Sequence, residues 1–296
     1  MSVDPAGFEA HRAYAMSIAY RMLGSVAAAQ DVVQDAYLRW HGVHAEVQDP
    51  RAYIARIVTR LCLDVLKSAR VQREHYVGPW LPEPLVTPFA GPSPLPTTDG
   101  QRMLADDISV ALLVTLEQLS PLERAAFLLR DVFDLEYAAI ADVLERTETA
   151  CRQLAGRARD HIREKRPRFE ATPQAEARLS SAFAQALYSG DMAALTKVLA
   201  EDVVVYSDGG GKRKAALRPV LGQANVQRFF DGLRRKRGNV QQLTAVPARI
   251  NGAPGFVLHD ADGLTTLALA INGDAIAAIY IVRNPDKLQH LQAGPP

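Results

Sequence analysis

The chain has 296 residues, of which 48% are hydrophobic and 23% charged, and its formal net charge is +1. This composition excludes a disordered or fibrous protein, and the length allows two or three domains. The cysteines, Cys62 and Cys151, lie far apart within apolar helical patterns, which disfavours disulfides and metal sites and indicates a reducing compartment. The N-terminus lacks a signal-peptide pattern, and the apolar run 275–282 is too short to span a bilayer. We therefore expect a cytoplasmic protein.

The first 75 residues predict three amphipathic helices. Apolar residues recur with helical spacing over residues 8–23, a run that a glycine ends, and again over residues 25–40. Asp49 and Pro50 then form a helix start, an N-cap acid followed by proline at the first helical position. The helix that they open is predicted to run to about Arg73.

One face of this third helix is basic. Tyr53 and Thr59 lie among the basic residues, a combination that suits a track for phosphates with groups for bases. The simpler alternative is a solvated charged surface. The basic residues are Arg51, Arg56, Arg60, Lys67, Arg70 and Arg73.

Residues 78–100 contain seven prolines. Proline fixes φ and lacks an amide donor, so the segment can be neither a helix nor a central strand, and we interpret it as a linker. However, Trp80, Leu81, Leu85 and Phe89 are more apolar than a free spacer requires. The sequence therefore predicts a linker that also docks on a folded surface.

A second helical region follows the linker. Residues 105–119 show an apolar helical pattern, and Ser120, Pro121 and Glu123 form a capping box that starts another helix. Residues 135–144, a short turn and a further helix capped by Thr147 then predict a helix-turn-helix. The alternative is a plain helical hairpin with charged flanks.

The last helix of this pair has two distinct faces. Its buried stripe contains Cys151, Ala155, Ala158 and Ile162. The opposite face of its early turns suits contact with base edges in the major groove, and flanking arginines suit phosphates. The first set is Thr149, Arg152, Gln153 and Gly156, and the second is Arg146, Arg157, Arg159 and Arg163.

After Pro173 the pattern becomes mixed. Helices are predicted over residues 176–188, 192–199 and 224–234, and strands over 203–206, 243–250, 256–259, 264–271 and 274–282. Asn272 and Gly273 give a strong hairpin signal between the last two strands. Helices followed by a meander of strands predict an α+β domain with a curved sheet backed by helices.

Enzymatic activity of this last domain would need a pocket carboxylate and a hydrogen-bond donor. Asp208, His259, Asp260 and Tyr280 are the residues available for those roles. Asp208 begins a glycine run and is better interpreted as a turn acid, and His259 with Asp260 closes a strand before another turn. We therefore favour a non-catalytic domain, with no cofactor and no metal site.

Three segments resemble bacterial extracytoplasmic-function sigma factors, the promoter-recognition subunits of RNA polymerase. They are AQDVVQDAYLRW (29–40), DPRAYIARIVTRLCLDVLKSAR (49–70) and the segment 119–163, which begins LSPLERAAFLLRD. The resemblance implies that residues 1–75 bind core polymerase and the minus-ten element, and that the helix-turn-helix of residues 105–168 binds the minus-thirty-five element. The partners implied are promoter DNA and the β′ clamp and β flap of the polymerase core, without a membrane.

By position, the resemblance assigns three sets of residues. The core-polymerase face is Asp31, Gln34, Asp35 and Leu38. The minus-ten set is Arg51, Arg56, Thr59, Arg60, Asp64 and Arg70, although the family often has Asn at the position of Thr59. The minus-thirty-five set is Arg146, Thr149, Arg152, Gln153, Arg157 and Arg159.

Three further motifs, WLPEP (80–84), DGGGK (208–212) and NPDKL (284–288), resemble a subgroup of this family with a C-terminal SnoaL- or NTF2-like cone-fold domain. The implied fold is multidomain: two all-α domains, a linker over 76–104, and an α+β cone-fold domain over 173–296. The motif residues are expected to regulate the chain in cis without a dedicated separate anti-sigma factor. They are Trp80, Leu81, Pro82, Glu83, Pro84, Asp208, Gly209, Gly210, Gly211, Lys212, Asn284, Pro285, Asp286, Lys287 and Leu288.

Several alternatives stay open at this point. Glu83 could pair with Lys212, Arg213 or Lys214, and NPDKL could hold a closed state or support contact with polymerase. The C-terminal pocket could hold a small ligand. The rival function is a DNA-binding regulator fused to an active or ligand-sensing cone-fold domain of the cyclase or isomerase type.

Overall fold

A computed structural model describes residues 5–42, 47–73, 76–88, 108–165, 171–237 and 244–292. The chain divides into two compact units, residues 1–75 with 112–166 and residues 76–111 with 167–296. The first unit therefore combines the two predicted helical domains, and the second combines the linker with the C-terminal domain. Across these described segments, no helix has both the length and the apolar character needed to cross a membrane.

The helical part of the structure follows the predicted caps. Ser25 accepts a hydrogen bond from the amide of Ala28, Asp49 accepts one from Ala52, and Ser120 with Glu123 forms the complete capping box. The helices are α1 (Pro5–Glu9), α2 (Arg12–Leu23), α3 (Val26–His41), α4 (Pro50–Arg73), α5 (Val110–Leu116), α6 (Pro121–Phe127), α7 (Tyr137–Leu144) and α8 (Glu148–Lys165). A π-helical turn, Leu128–Val132, follows α6.

Two predicted helix boundaries differ from the structure. The single helix predicted over residues 8–23 is broken between α1 and α2, where His11 adopts non-helical backbone angles (φ −113°, ψ 7°). The helix predicted over residues 105–119 is limited to α5, and its first residues lie outside the described part of the chain. Both Cys62 and Cys151 are buried free thiols, as predicted, and burial raises the pKa of each.

The second unit contains the mixed sheet of the C-terminal domain. Its helices are α9 (Pro173–Ser189), α10 (Met192–Val198), α11 (Gln223–Arg237) and α12 (Gln289–Gln292), with a 3₁₀ turn at Pro285–Leu288. Its strands are β1 (Val86–Pro88), β2 (Leu199–Asp208), β3 (Val220–Leu221), β4 (Thr244–Ile250), β5 (Ala253–Asp260), β6 (Gly263–Asn272) and β7 (Ala275–Val282). The strand order is β1-β4-β5-β6-β7-β2-β3, with β2 and β7 parallel and the other pairs antiparallel.

The core of this domain lies between the sheet and its helices. Apolar side chains of α9 and α11 pack on strands β2, β5, β6 and β7, and the rings of Phe183 and Phe230 meet edge to face with centroids 5.7 Å apart. The predicted hairpin is present, with β6 and β7 joined at Gly273 (φ 58°). The fold class predicted from the sequence, helical domains followed by a helix-backed mixed sheet, is confirmed.

The linker contributes the edge strand β1 to this sheet. β1 pairs with β4, with Val86 opposite Ile250 and Pro88 opposite Ala248. At the start of β1, the amide of Leu85 donates to the side chain of Asn251, and the amide of Asn251 donates to the carbonyl of Leu85. Proline is tolerated at a sheet edge, so the strand is compatible with the proline-rich sequence.

Candidate nucleic-acid interface and linker-docking site

Asp208 is the centre of the linker-docking site. It ends β2, is completely buried, and accepts hydrogen bonds from the linker and from the NPDKL motif. Tyr76 donates to Oδ1 at 2.6 Å, and the amide of Leu81 and the ammonium of Lys287 donate to Oδ2 at 2.9 and 2.8 Å. The linker and two of the C-terminal motifs thus meet on one carboxylate.

The ammonium of Lys287 lies between two aromatic rings of the linker. Its Nζ is 4.0 Å from the ring centroid of Trp80 and 4.9 Å from that of Tyr76, and it also donates to the carbonyl of Leu81. Aromatic faces attract a cation through their quadrupole, most strongly when the cation is removed from water. Lys287 therefore binds the linker through both aromatic and backbone contacts.

Tyr76 completes this group as a hydrogen-bond donor. Burial raises the pKa of its phenol, and the hydrogen bond to the Asp208 carboxylate raises it further. The hydroxyl also accepts a hydrogen bond of 3.0 Å from Asn284. A tyrosine that stays protonated can keep donating to Asp208, so the linker is held by a neutral donor as well as by Lys287.

The glycines of DGGGK form a tight turn against NPDKL. Gly210 has φ 58°, and a Cβ built there would lie 2.2 Å from Nδ2 of Asn284. A Cβ at Gly209 would lie 2.0 Å from the carbonyl oxygen of Arg213. The amide of Gly210 also donates to Asp208, at 3.0 Å. Gly210 is therefore required for close approach between the two motifs, and Gly209 for the tight turn itself.

Asp208 is a turn acid, as interpreted from the sequence, since it accepts the amide hydrogen bond of Gly210, and its carboxylate also anchors the linker. Two basic residues at and beside the DGGGK motif form ion pairs with acids of the same domain. Lys212 pairs with Asp286 at 2.6 Å and Arg213 with Asp260 at 3.3 Å. Glu83 is itself buried, with 9% of its surface exposed.

The WLPEP motif is largely enclosed by the second unit. Leu81 is completely buried, Pro82 and Pro84 are buried, and Trp80 is partly exposed. Nε2 of His290 lies 2.8 Å from the carbonyl oxygen of Pro84. The predicted contact between the linker and the domain that contains DGGGK is therefore present.

The residues weighed for catalysis do not form an accessible acid-base site. The Asp208 carboxylate is fully buried and bonded to the linker, and Asp260 is paired with Arg213. His259 is exposed, while Tyr280 stacks on Tyr206 with ring centroids 5.4 Å apart. Within the described residues, no group of three or more His, Cys, Asp or Glu side chains is placed to hold a metal ion.

In the first unit, the residues expected to face core polymerase lie together on α3. Asp31, Gln34, Asp35 and Leu38 are all exposed. Leu38 stands out, because 60% of this large apolar side chain is exposed beside acidic and amide groups.

The predicted minus-ten residues have different environments on α4. Arg51, Arg56 and Asp64 are exposed, and the side chain of Arg70 is outside the described part of the structure. Thr59 is completely buried, and its Oγ1 forms no hydrogen bond with the described residues. Thr59 therefore cannot contact DNA in this arrangement, because the packing of the first unit covers it.

The predicted minus-thirty-five residues form an exposed face on α8 and the turn before it. Arg146, Thr149, Arg152 and Gln153 are exposed. The remaining two arginines of this set form ion pairs of 2.7 Å that connect α8 to the helices before it. These are Arg157 with Glu123 and Arg159 with Asp131.

Sequence reasoning missed three groups in these sites. Tyr76 lies just before the proline-rich segment and gave no pattern, and Asn251 forms a turn with φ 51°, for which its residue type was the only signal. Arg124 was assigned no role although it is a charged residue within an apolar helical pattern, and it is buried with 2% of its surface exposed. A buried charge within a helix pattern is a signal for a specific partner.

Comparison with known proteins matches both helical domains to sigma-factor families. Residues 8–71 match the family model "Sigma-70 region 2", and residues 109–162 match "Sigma-70, region 4". The chain is 37% identical to the ECF RNA polymerase sigma factor SigJ of Mycobacterium tuberculosis over 95% of this chain and 91% of the relative. It is 32% identical to the probable ECF RNA polymerase sigma factor SigI of the same species over 98% and 97%.

A solved structure extends this similarity to the complete fold. The crystal structure of M. tuberculosis extracytoplasmic function sigma factor SigJ matches with a TM-score of 0.80 and 34% identity, covering 97% of this chain and 98% of that one. The match spans the helical domains and the C-terminal sheet together. The chain therefore belongs to the extracytoplasmic-function sigma factors, which are non-catalytic subunits that direct core RNA polymerase to promoter DNA.

Proposed function

We propose that the C-terminal domain regulates this sigma factor in cis by binding the linker between regions 2 and 4. The observation that carries the proposal is the bonding of Asp208 to Tyr76, Leu81 and Lys287 at one buried point. A linker that served only as a spacer would not need a buried ion pair, a cation between two rings and an added sheet strand.

Docking of the linker limits how far the two DNA-binding regions can separate. The minus-ten and minus-thirty-five elements are about 25 base pairs apart, which is about 85 Å of B-form DNA at about 3.4 Å per base pair. Residues 74–109 connect α4 to α5 and reach about 120 Å when fully extended. Residues 76–88 account for about 45 Å of that reach, and docking on the C-terminal domain fixes the distance that they span.

The exposed faces of α3, α4 and α8 carry the remaining functions of a sigma factor. Asp31, Gln34, Asp35 and Leu38 bind core polymerase, and α4 contacts the minus-ten element. The exposed face of α8, with Thr149, Arg152 and Gln153, contacts the minus-thirty-five element. The ion pairs of Arg157 and Arg159 suit an orienting role for α8 alongside phosphate contacts. The regulatory partner lies in the same chain, so no dedicated separate anti-sigma factor is required.

The experiment compares wild type with Trp80→Ala in promoter-specific transcription with core polymerase. Promoters are found first by sequencing run-off transcripts from fragmented genomic DNA. Hydrogen exchange at Leu81 and Leu85 reports docking directly, because both amides donate to groups of the C-terminal domain. We expect faster exchange at both amides and a several-fold rise in promoter-specific transcript.

The experiment includes a matched control variant in the C-terminal domain. Tyr188→Ala removes an aromatic side chain that is 82% exposed in the same domain, and it should change neither readout. Faster exchange without a change in transcript would contradict the regulatory role and leave the sigma-factor activity intact. A fall in transcript would contradict restraint by the linker, since it would mean that docking assists initiation.

A further inference from the structure

A buried arginine of region 4 contacts the C-terminal end of a region 2 helix. Nη1 of Arg124 on α6 donates to the carbonyl oxygen of Met22 at 2.6 Å and lies 2.7 Å from Oε1 of Glu117. Met22 belongs to the last turn of α2, where carbonyls lack partners within the helix. Arg124 therefore caps a helix of the other region while its own charge is balanced by Glu117.

A similar contact runs in the opposite direction, from Arg60 of region 2 to a helix of region 4. On α4, its Nε and Nη2 donate to the carbonyl oxygens of Val143 and Asp142 at 3.2 and 2.9 Å, and Nη2 lies 2.8 Å from Glu145. Val143 and Asp142 belong to the last turn of α7, the first helix of the helix-turn-helix. A cation is favourable at a helix C-terminus, where the helix dipole is negative. Each region thus caps a helix of the other with an arginine.

Beside the Arg60 contact, an open cleft lies between α4 and the helix-turn-helix. The cleft has a volume of about 590 Å³, and it is lined by Arg56 and Arg60 from α4, by Arg146 and Thr147 from the turn before α8, and by Ala150 from its first turn. Arg56 and Arg60 of the predicted minus-ten set therefore line the same cleft as Arg146 of the set predicted for an element about 85 Å away. The closed first unit cannot contact both elements at once.

We propose that Arg124 and Arg60 form a reciprocal clamp that holds regions 2 and 4 closed and competes with promoter binding. The inference rests on the proposed DNA-binding roles of α4 and α8. The guanidinium of Arg60 bonds to α7 in the closed state, so it becomes available to a DNA phosphate or base only when region 4 leaves. Promoter DNA then shifts the equilibrium by binding the open state alone.

The test measures the distance between regions 2 and 4 by double electron-electron resonance in the full chain. Spin labels are attached at Gln30→Cys on α3 and Glu164→Cys on α8, both exposed positions, while the native thiols are buried. Arg60→Met, Arg124→Met and the double variant remove the clamp contacts. Each single variant should raise the ratio of open to closed molecules by about tenfold, and the double variant by about a hundredfold.

Controls separate opening of the clamp from general damage. Arg12→Met removes an exposed arginine of α2 that pairs only with nearby Glu9 in the described structure, so it should leave the distance distribution unchanged. Circular dichroism checks that the helices persist. If Arg124→Met unfolds region 4, Arg60→Met still tests the clamp, because the Arg60 side chain is 33% exposed and lies on the surface of α4.

Two results would overturn the inference. One is a double variant that keeps the wild-type distance distribution. The other is a double variant that opens while Arg124→Met alone leaves the affinity for promoter DNA unchanged, since competition predicts tighter binding once the clamp is weakened. Neither result bears on linker docking, which hydrogen exchange at Leu81 measures independently.

Discussion

The ammonium of Lys287 lies 2.8 Å from Oδ2 of Asp208, and only 8% and 0% of the two side chains are exposed. The pair joins the NPDKL and DGGGK motifs, and the linker bonds to both of its members. Burying two charges is costly, and a buried pair of this kind is weak evidence for stability by itself. Because the linker bonds to both members of the pair, we infer that the pair determines where the linker docks.

Removing the cation of this pair should destabilise the second unit strongly. Lys287→Met leaves the Asp208 carboxylate buried without its cation, and we expect a loss of about 3–5 kcal/mol in the free energy of unfolding. Urea unfolding followed by Trp80 fluorescence in a Trp40→Phe background measures it. Lys212→Met is the control, because its ion pair is about half exposed and should contribute within about 1 kcal/mol. Equal effects of the two substitutions would contradict the role of the buried pair.

Gly210 should not tolerate a side chain. Gly210→Ala places a Cβ at φ 58° and 2.2 Å from Asn284, so we expect a loss of at least about 1 kcal/mol and faster exchange at Leu81. Gly232→Ala is the control within the same unit, because its Cβ would meet nothing within 4 Å inside α11. This control should stabilise the protein by about 0.5–1 kcal/mol. A neutral Gly210→Ala would show that the DGGGK turn can move away from NPDKL without cost.

The pKa of Glu123 predicts a specific dependence of stability on pH. Its hydrogen bond to Arg157 lowers the pKa, helped by bonds to Ser120 and opposed by partial burial. A carboxyl with a lowered pKa in the folded state contributes stability above its unfolded pKa of about 4.3, and that contribution is lost as pH falls through the folded pKa. Glu123→Gln keeps a residue suited to the capping box but cannot titrate.

The corresponding measurement compares the unfolding free energies of wild type and Glu123→Gln from about pH 6 to pH 2. The advantage of wild type should be constant above about pH 5 and should disappear as the solution becomes more acidic. A constant difference over the whole range would mean that Glu123 acts only through its capping geometry and not through its charge.

Short sequence patterns predicted most helices and strands of this fold. They could not predict contacts between residues that are far apart in the sequence. The caps at Ser25, Asp49 and Ser120 and the hairpin at Gly273 are encoded within a few residues of each boundary. The resemblance of three motifs also indicated that the linker docks. The helix prediction failed at His11, where apolar spacing continued across a real break.

The anchoring role of Asp208 illustrates what a local pattern cannot reveal. Its sequence context, an acid before three glycines, is that of a turn, and the structure contains that turn. Its bonds to Tyr76 and Lys287 join residues that are 132 and 79 positions away. The same limit applies to Arg60. Its position on the basic face of α4 predicted contact with DNA, whereas in the structure its guanidinium donates hydrogen bonds to a region 4 helix.

Recognition of the minus-thirty-five element should depend on Arg152. Its side chain is 54% exposed at the start of α8, and Arg152→Ala should weaken binding to the preferred element by about 1–3 kcal/mol and relax base preference at one position. Arg163→Ala is the control for a phosphate contact, since Arg163 is 75% exposed late in the same helix and was placed for phosphates, so its loss should weaken binding equally on all fragments. Competition binding with permuted promoter fragments measures both variants. Equal losses on all fragments would assign Arg152 to phosphate contact instead of base recognition.

Binding to core polymerase should depend on Leu38, which exposes 60% of its side chain on α3. If this side chain becomes buried against the polymerase, Leu38→Ala should weaken the complex by about 1.5–3 kcal/mol, or about ten- to a hundredfold in Kd. Leu221→Ala is a closely matched control, because Leu221 is 61% exposed in the C-terminal domain. Fluorescence anisotropy of labelled sigma factor titrated with core polymerase gives both affinities. If both variants bind as tightly as wild type, the polymerase surface lies away from Leu38, and the acidic residues of α3 would then have no apolar centre to surround.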